Sequence, residues 1–214
     1  LLDSITKENF DLPWLRVMYA YPGYVTDRLI DLMASRSQIL HYLDIPLQHA
    51  HPETLKRMKR PHNMDWVRKT IGKMRNAMPD LAIRTTFIVG YPGETEEEFN
   101  ALLDFLNEMQ FDRAGAFTFS FEPGTASEPL GDPVPQEVKE ERLGRLMILQ
   151  EEISLQKNQK LVGSDLAVLV EGTGDGISLG RTYRDAPEID GMVILQGEHP
   201  SGELVKARID GAMI

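Results

Sequence analysis

Short apolar segments alternate with helical patterns over the first half of the chain. The apolar segments are rich in β-branched, aromatic or leucine residues, end in turn residues, and occupy Leu15–Ala20, Ile39–Leu47, Leu81–Val89 and Ala114–Phe121. Alternation of strands with helices predicts an α/β fold with a parallel sheet and right-handed crossovers. A closed barrel of this type has eight strands, so four units predict an open sheet or part of a larger barrel.

Two of the intervening segments show clear helical periodicity. Apolar residues recur three and four positions apart at Val67, Ile71, Met74 and Met78, and again at Phe99, Leu102, Leu103, Leu106 and Met109. Thr95 and Glu98 have the spacing of a capping box at the start of the second helix. Acidic residues at 96–98 also suit the positive end of the helix dipole.

The second half of the chain changes character after a segment rich in proline and glycine at 122–135. Pro135 is placed to open a long helix that runs to about Lys160, and Val138, Leu143, Leu146, Met147 and Ile153 are available for burial. Beyond Gly163, four short strand patterns (Leu166–Val170, Ile177–Tyr183, Met192–Leu195 and Leu204–Ile209) predict a small antiparallel β-barrel. We therefore expect two domains, 1–160 and 161–214, with the second packed on the first because a domain of its size is marginal alone.

Composition narrows the function classes. The net charge of −10 argues against nucleic acid as an obvious partner, since phosphate binding requires an excess of Lys and Arg. No apolar run has the roughly 18–20 residues that cross a bilayer, and the first ten residues lack the features of a signal peptide. These features predict a cytoplasmic protein with no membrane partner.

Cysteine is absent from the sequence. This polypeptide therefore supplies no thiolate to a disulfide, a zinc site, a nucleophile or an iron–sulfur cluster. The chain also begins without Met and reaches the pattern of its first strand almost at once. We expect it to be the later part of a longer protein.

The first candidate cluster follows the second predicted strand, in Leu43-Asp-Ile-Pro-Leu-Gln-His-Ala50. Ligands of parallel α/β sheets bind at the carboxyl ends of the strands, which is where Gln48 and His49 fall. Alternation places Tyr42, Asp44, Pro46 and Gln48 on one face. A strand that simply ends in polar residues is the alternative, but a carboxylate such as Asp44 within a strand needs a partner.

The same segment contains a His-x-His pair, His49 and His51, of the kind that ligates metal in barrel hydrolases. No second set of ligands at matching spacing accompanies the pair, and His41 and His62 do not supply one. Metal binding is therefore a weak alternative here, and we predict no metal site.

The second candidate cluster is Arg84-Thr-Thr-Phe-Ile-Val-Gly-Tyr-Pro-Gly-Glu94, a strand followed by a glycine turn. Gly90 would allow a ligand to approach the backbone, whose edge amides recognise flat heterocycles such as adenine. Arg84 shares its strand face with Thr86 and Ile88, and its guanidinium needs an anion such as a carboxylate. A tight turn with a structural arginine pair is an equally good explanation.

Two further motifs carry no chemistry. Aromatic residues alternate in Phe117-Thr-Phe-Ser-Phe121, as in many core strands. The glycines of Glu171-Gly-Thr-Gly-Asp-Gly176 precede no helix and no lysine, so they match neither nucleotide-binding loop and indicate a hairpin turn.

Taken together, these stretches resemble the methylthiotransferase family of radical S-adenosylmethionine (SAM) enzymes. The resemblance covers nearly the whole chain and rests on four segments: Asp44-Ile-Pro-Leu-Gln-His49 with Leu55-Lys-Arg-Met-Lys-Arg60, Ile88-Val-Gly-Tyr-Pro-Gly-Glu-Thr95, Glu122-Pro-Gly-Thr-Ala126, and Gly180-Arg-Thr-Tyr-Arg-Asp-Ala-Pro-Glu-Ile-Asp-Gly191. The last is similar to the C-terminal TRAM domain of the RimO branch. Gln48-His49 stands where the tRNA-modifying MiaB branch usually has Gln and Ser-Gly.

The resemblance implies a partial barrel of the radical SAM type followed by a TRAM domain. It implies a parent enzyme that adds a methylthio group to the β-carbon of an aspartate in a small-subunit ribosomal protein. SAM and two 4Fe-4S clusters would be its cofactors, and the cluster ligands would be cysteines that this chain lacks. The chain alone is therefore expected to be inactive, with no catalytic residue of its own.

By the same resemblance, Gln48 and Arg84 are the expected SAM contacts, Gly90 lines the adenine region, and Asp44 belongs to the same cofactor-binding group. Residues 160–214 contain five basic and nine acidic side chains, which suits a basic ribosomal protein better than tRNA. A MiaB-like enzyme acting on tRNA and a non-catalytic binding module remain the alternatives.

Overall fold

The computed structural model describes residues 1–213. Its first sheet is parallel, with four strands in the order β1 (Leu15–Val17), β2 (Ile39–Asp44), β3 (Ala82–Val89) and β4 (Arg113–Thr118). The helices that accompany it are α1 (Leu2–Glu8), α2 (Asp27–Ser35), α3 (Pro52–Arg57), α4 (Met64–Ala77) and α5 (Glu96–Met109). The predicted alternation of strands and helices is confirmed.

Three strands of the first sheet end earlier than expected, and one of them is β4, which ends at Thr118 rather than Phe121. β1 ends at Val17, and β2 ends at Asp44 rather than Leu47. Pro46 has no amide hydrogen to donate, and the Thr85 hydroxyl fills the gap by donating to the Ile45 carbonyl at 2.8 Å. Pairing resumes as a single bridge between Gln48 and Phe87.

Helix termini follow the local sequence. The capping box of α5 is present, because the Thr95 hydroxyl accepts from the Glu98 amide while the Glu98 carboxylate accepts from the Thr95 amide. Asn63 caps α4 in the same manner by accepting from the Trp66 amide. The apolar faces predicted for α4 and α5 are buried against the sheet.

The long helix α6 (Gln136–Gln159) crosses behind β4 and α5. Leu146 and Ile153 are buried in the main core as expected. The same helix also buries three polar side chains that apolar periodicity did not reveal, namely Lys139, Arg142 and Gln150. Each of the three has hydrogen-bond partners, as buried polar groups require.

After α6 the chain forms a four-stranded antiparallel sheet in the order β7 (Val193–Gln196), β6 (Ile177–Arg181), β5 (Asp165–Gly174) and β8 (Leu204–Arg208). Its small core contains Val168, Val170 and Leu195. The connection between β6 and β7 reaches back to the first sheet, where Ala186 packs with Leu40, Tyr42 and Ala82. The small domain therefore packs on the large one. None of the helices in residues 1–213 is long and apolar enough to cross a membrane.

Candidate functional site

The two faces of the parallel sheet differ in what covers them. Ile83, Phe87 and Val89 of β3 point into the main core together with the helices. Because strand residues alternate, Arg84, Thr86 and Ile88 lie on the opposite face, which we call the helix-free face. On β2 this face carries Tyr42 and Asp44, and on β4 it carries Arg113, Gly115 and Phe117.

The β6–β7 connection (residues 182–192) covers the helix-free face at the end where the strands begin. One side chain from each strand contacts it: Arg16 donates to the carbonyls of Tyr183 and Asp185, Tyr42 and Arg84 contact Asp190, and Arg113 pairs with Asp185 at 2.8 Å. Burial, together with the neighbouring Asp190 charge, raises the pKa of the Tyr42 hydroxyl, so it remains a proton donor.

Arg84 lies at the boundary between the covered and the open part of this face. Its Nη1 is 3.2 Å from Asp44 Oδ2, and its Nε is 3.3 Å from Asp190 Oδ1. Within residues 1–213 its Nη2 makes no hydrogen bond, and a β-carbon placed on Gly115 would lie 3.7 Å from it. Gly115 pairs with Thr86, nearer the carboxyl ends of the strands, so the free edge of the guanidinium points toward the open half.

Asp44 is fully buried beside Arg84. Burial raises the pKa of its carboxyl, the Arg84 guanidinium acts in the opposite direction, and Asp190 raises it further. Oδ2 binds Arg84, while Oδ1 is buried without a hydrogen-bond partner among the described residues. Arg84 is thus the partner that a carboxylate within a strand needs. Because Asp44 is enclosed, it acts on the open half through that guanidinium.

Gln48 lies at the carboxyl edge of the sheet, as predicted from its position. Its backbone is left-handed (φ 72°), its amide donates to the Thr86 carbonyl at 2.8 Å, and its carbonyl accepts from the Ile88 amide at 2.8 Å. The backbone is thus fixed by β3, and the partly exposed side chain makes no hydrogen bond in the described part of the chain.

His49 and His51 do not converge on a common point. The His49 imidazole is completely buried, and its Nδ1 accepts from the His51 amide at 2.9 Å. Its Nε2 is 3.5 Å from Glu94, whereas the nearest carboxylate to the His51 ring is that of Glu98, at 3.6 Å. No group of three or more His, Cys, Asp or Glu side chains within residues 1–213 could hold a metal ion.

The turn after β3 is stabilised by Glu94, which accepts a hydrogen bond from the backbone of the same turn. Gly90 has a φ of 71°, and its amide donates to Glu94 at 2.9 Å. Glu94 also pairs with Arg142 of α6 at 2.8 Å. A β-carbon at position 90 would lie 2.4 Å from Lys139 Cγ, so close packing against α6 explains why glycine is needed there. The predicted contact of Gly90 with a cofactor stays a prediction.

Sequence reasoning missed the contribution of the C-terminal domain to this site. Asp190 and Asp185 were counted as surface charge, yet both side chains are buried against arginines of the first sheet. A signal was available, because residues 181–191 combine charged and aromatic side chains with no strand alternation. That pattern is typical of a segment held by side-chain contacts rather than by a ladder.

Comparisons with known proteins agree with this architecture. A family model described as the radical SAM superfamily matches residues 1–106, and a TRAM domain model matches residues 162–214. A protein of Chloroflexus aurantiacus named ribosomal protein uS12 methylthiotransferase RimO is 53% identical over 204 residues, which are 93% of this chain and 45% of that protein. The protein of the same name from Roseiflexus sp. is 53% identical over 218 residues, which are 100% of this chain and 46% of its own length. The chain is therefore similar, over nearly its whole length, to RimO-type radical SAM methylthiotransferases. It spans a little under half the length of these relatives.

Solved structures support the fold of this chain. Coproporphyrinogen III oxidase (HemN) from Escherichia coli, a radical SAM enzyme, superposes with a TM-score of 0.54 at 16% identity, covering 66% of this chain and 32% of that one. The radical SAM methyltransferase TsrM from Kitasatospora setae superposes with a TM-score of 0.50 at 16% identity, covering 92% of this chain and 31% of that one. These likenesses show the fold, and together with the matches to the radical SAM and TRAM models they confirm the predicted partial radical SAM barrel followed by a TRAM domain.

Proposed function

We propose that this chain forms the SAM-binding face and the target-binding domain of an enzyme that adds a methylthio group to the β-carbon of an aspartate in a small-subunit ribosomal protein. The relatives named above, at about half identity, support the reaction and the target. The observation that carries the cofactor assignment is the free Nη2 edge of Arg84, which is held in place by two carboxylates.

The open half of the helix-free face suits SAM chemically. The Arg84 edge offers a charge-assisted donor to the carboxylate of the cofactor, and the Gln48 amide offers a neutral donor and acceptor nearby. Ile88 and the exposed Phe117 ring supply apolar surface on the same face, and Gly90 lines the adenine region at the end of β3. When bound to a reduced 4Fe-4S cluster, SAM supplies the radical that removes hydrogen from the target.

The clusters themselves are not held by thiolates of these 214 residues, because the sequence has no cysteine. We therefore propose that this polypeptide alone binds SAM without cleaving it. Anaerobic reconstitution with iron and sulfide should give no 4Fe-4S absorption and no reductive cleavage of SAM. Cleavage by the isolated chain would contradict this proposal.

The C-terminal domain is proposed to bind the ribosomal protein through its surface charge. Of the charged side chains in residues 160–214, Asp185, Asp190 and Arg184 are buried and paired with the first sheet. The remaining surface carries seven acidic and four basic side chains. An acidic surface attracts a basic ribosomal protein and repels the phosphates of tRNA.

Titration of SAM into the chain, followed by calorimetry, tests the cofactor assignment. Arg84→Gln should weaken SAM binding by at least tenfold, because one charge-assisted hydrogen bond contributes about 1.5–3 kcal/mol. Arg68→Gln is the matched control, since Arg68 pairs with Glu108 on the helical side of the sheet. Equal affinities for the wild type and Arg84→Gln would sink the carboxylate role.

Binding of a purified small-subunit ribosomal protein, measured at rising salt, tests the partner. The affinity should fall as salt screens the opposite charges. Tighter binding of tRNA than of the ribosomal protein at physiological salt would favour the MiaB-like alternative instead.

A further inference from the structure

Asp190 of the C-terminal domain contacts two strands of the first sheet, through Tyr42 of β2 and Arg84 of β3. Its side chain is 1% exposed. Oδ2 accepts from the Tyr42 hydroxyl at 2.7 Å and from the Ala186 amide at 2.8 Å, while Oδ1 is 3.3 Å from Arg84 Nε. The carboxylate is therefore fixed by its own segment and by β2 as well as by its contact with the arginine.

Two carboxylates fix the plane of the Arg84 guanidinium. Asp44 alone, on Nη1, would leave the group free to turn about that contact. The second carboxylate, on Nε, removes this freedom and leaves Nη2 directed past Gly115 toward the open half of the helix-free face. A donor that is already oriented loses less entropy when it binds an anion.

We propose that Asp190 is a positioning residue for Arg84, which makes the C-terminal domain a structural part of the SAM site. This inference rests on the proposed function, because it assumes that Arg84 binds the cofactor. The domain then has two tasks: its outer surface meets the target, and its β6–β7 connection holds the donor that binds SAM.

The same connection provides a matched control. Asp185 is also buried and also pairs with an arginine of the sheet, Arg113, at 2.8 Å, while its other oxygen accepts from the Thr182 hydroxyl. It anchors the domain as Asp190 does, but it does not touch Arg84. Loss of domain docking in general should therefore follow from either substitution, whereas loss of Arg84 orientation should follow only from the change at position 190.

The test is SAM affinity, measured by calorimetry for the 214-residue chain and for four variants: Asp190→Asn, Asp185→Asn, Arg84→Gln, and the double variant Asp190→Asn with Arg84→Gln. Asp190→Asn keeps an acceptor for Tyr42 and Ala186 and should weaken binding about tenfold, the scale typical of residues that orient a ligand group. Asp185→Asn should leave the affinity within about twofold of the wild type. In the Arg84→Gln background the Asp190→Asn change should have no further effect.

A second readout needs no cofactor. In ¹⁵N-labelled protein, the Arg84 Nε–H resonance should shift in Asp190→Asn, which removes the carboxylate charge 3.3 Å from Nε, and should keep its wild-type position in Asp185→Asn. Weaker binding in Arg84→Gln together with unchanged binding in Asp190→Asn would overturn the positioning role and leave the proposed function standing. Unchanged binding in Arg84→Gln itself would overturn the proposed role of Arg84, and the inference with it.

Discussion

The covered and open halves of the helix-free face are built from similar residues but differ in how those residues are satisfied. In the covered half, Arg16, Tyr42 and Arg113 donate hydrogen bonds to the β6–β7 connection, and the one donor of Arg113 without a partner, Nε, is buried. In the open half, Arg84 Nη2 has no partner within residues 1–213, and neither has the partly exposed Gln48 side chain at the carboxyl edge of the sheet. A polar strand residue therefore indicates a ligand only when its unused donor or acceptor also faces open space.

The largest effect on stability is expected at Asp112, which directly precedes β4 and helps to hold the β6–β7 connection. Asp112 accepts from the Ile83 amide and pairs with Lys157 of α6 and with Arg184 of that connection, and it is 2% exposed. Asp112→Ala leaves one buried and one partly buried cation without their counter-charge and should lower the free energy of unfolding by about 3–5 kcal/mol. Chemical denaturation measures this loss, and Asp104→Ala on the exposed side of α5 should change it by less than about 0.5 kcal/mol.

The second largest effect on stability is expected at Gly90, in the turn that follows β3. Gly90→Ala adds a β-carbon 2.4 Å from Lys139 Cγ at a left-handed position and should cost about 2–3 kcal/mol. Gly72→Ala in α4 is the control, because nothing lies within 4 Å and the helix should gain about 0.5–1 kcal/mol. A thermal melt in which the two variants behave alike would contradict the packing account of Gly90.

The pH dependence of stability should distinguish Glu98, a partly buried carboxylate of α5, from its exposed neighbour Glu97. Burial alone would raise the pKa of Glu98, but hydrogen bonds from Arg57 and the Thr95 amide lower it to about 2 from 4.5. Its contribution is therefore complete above about pH 4.5 and is lost as the pH falls toward 2. Glu98→Gln should remove about 2 kcal/mol at neutral pH and flatten the acid side of the stability curve, while Glu97→Gln on the exposed face should leave the curve unchanged.

The smallest effect on stability is expected at Gln48. Gln48→Ala removes a side chain without partners and should change the free energy of unfolding by less than about 0.5 kcal/mol. SAM affinity should nevertheless fall severalfold, because one neutral hydrogen bond contributes about 0.5–1.5 kcal/mol. A variant that loses stability but keeps its SAM affinity would show that the Gln48 side chain has a structural role and does not bind the cofactor.

Much of the fold was predictable because its signals are local. Apolar periodicity located α4 and α5, and the Thr95 and Glu98 pair located the start of α5. The end of β2 at Asp44 has a local signal in Pro46, which has no amide hydrogen for a strand ladder, whereas the Thr85 hydroxyl that donates to the Ile45 carbonyl could not be predicted because it lies on another strand. The burial of Lys139 and Arg142 on α6 was also not predicted. Charged side chains are buried only where oppositely charged partners lie beside them, here Asp132 and Glu94, and both partners lie outside α6.

The candidate site was predictable only in part. Strand alternation grouped Asp44 with Tyr42 and, separately, Arg84 with Thr86 and Ile88, but only the structure shows that Asp44 and Arg84 share a face and pair. The role of Asp190 was not predictable, because it lies 106 positions beyond Arg84 in the sequence and no spacing rule links a turn residue to a strand in another domain. Side-chain contacts over such separations emerge only from the assembled structure.

A crystal structure of the chain soaked with S-adenosylmethionine would show directly whether Arg84 binds the cofactor. We expect the cofactor on the open half of the helix-free face, with its carboxylate within hydrogen-bond distance of Arg84 Nη2 and with Asp44 and Asp190 still beside the other two nitrogens. Cofactor density with the carboxylate bound elsewhere, while Arg84 keeps both carboxylates and an empty Nη2 edge, would contradict this expectation.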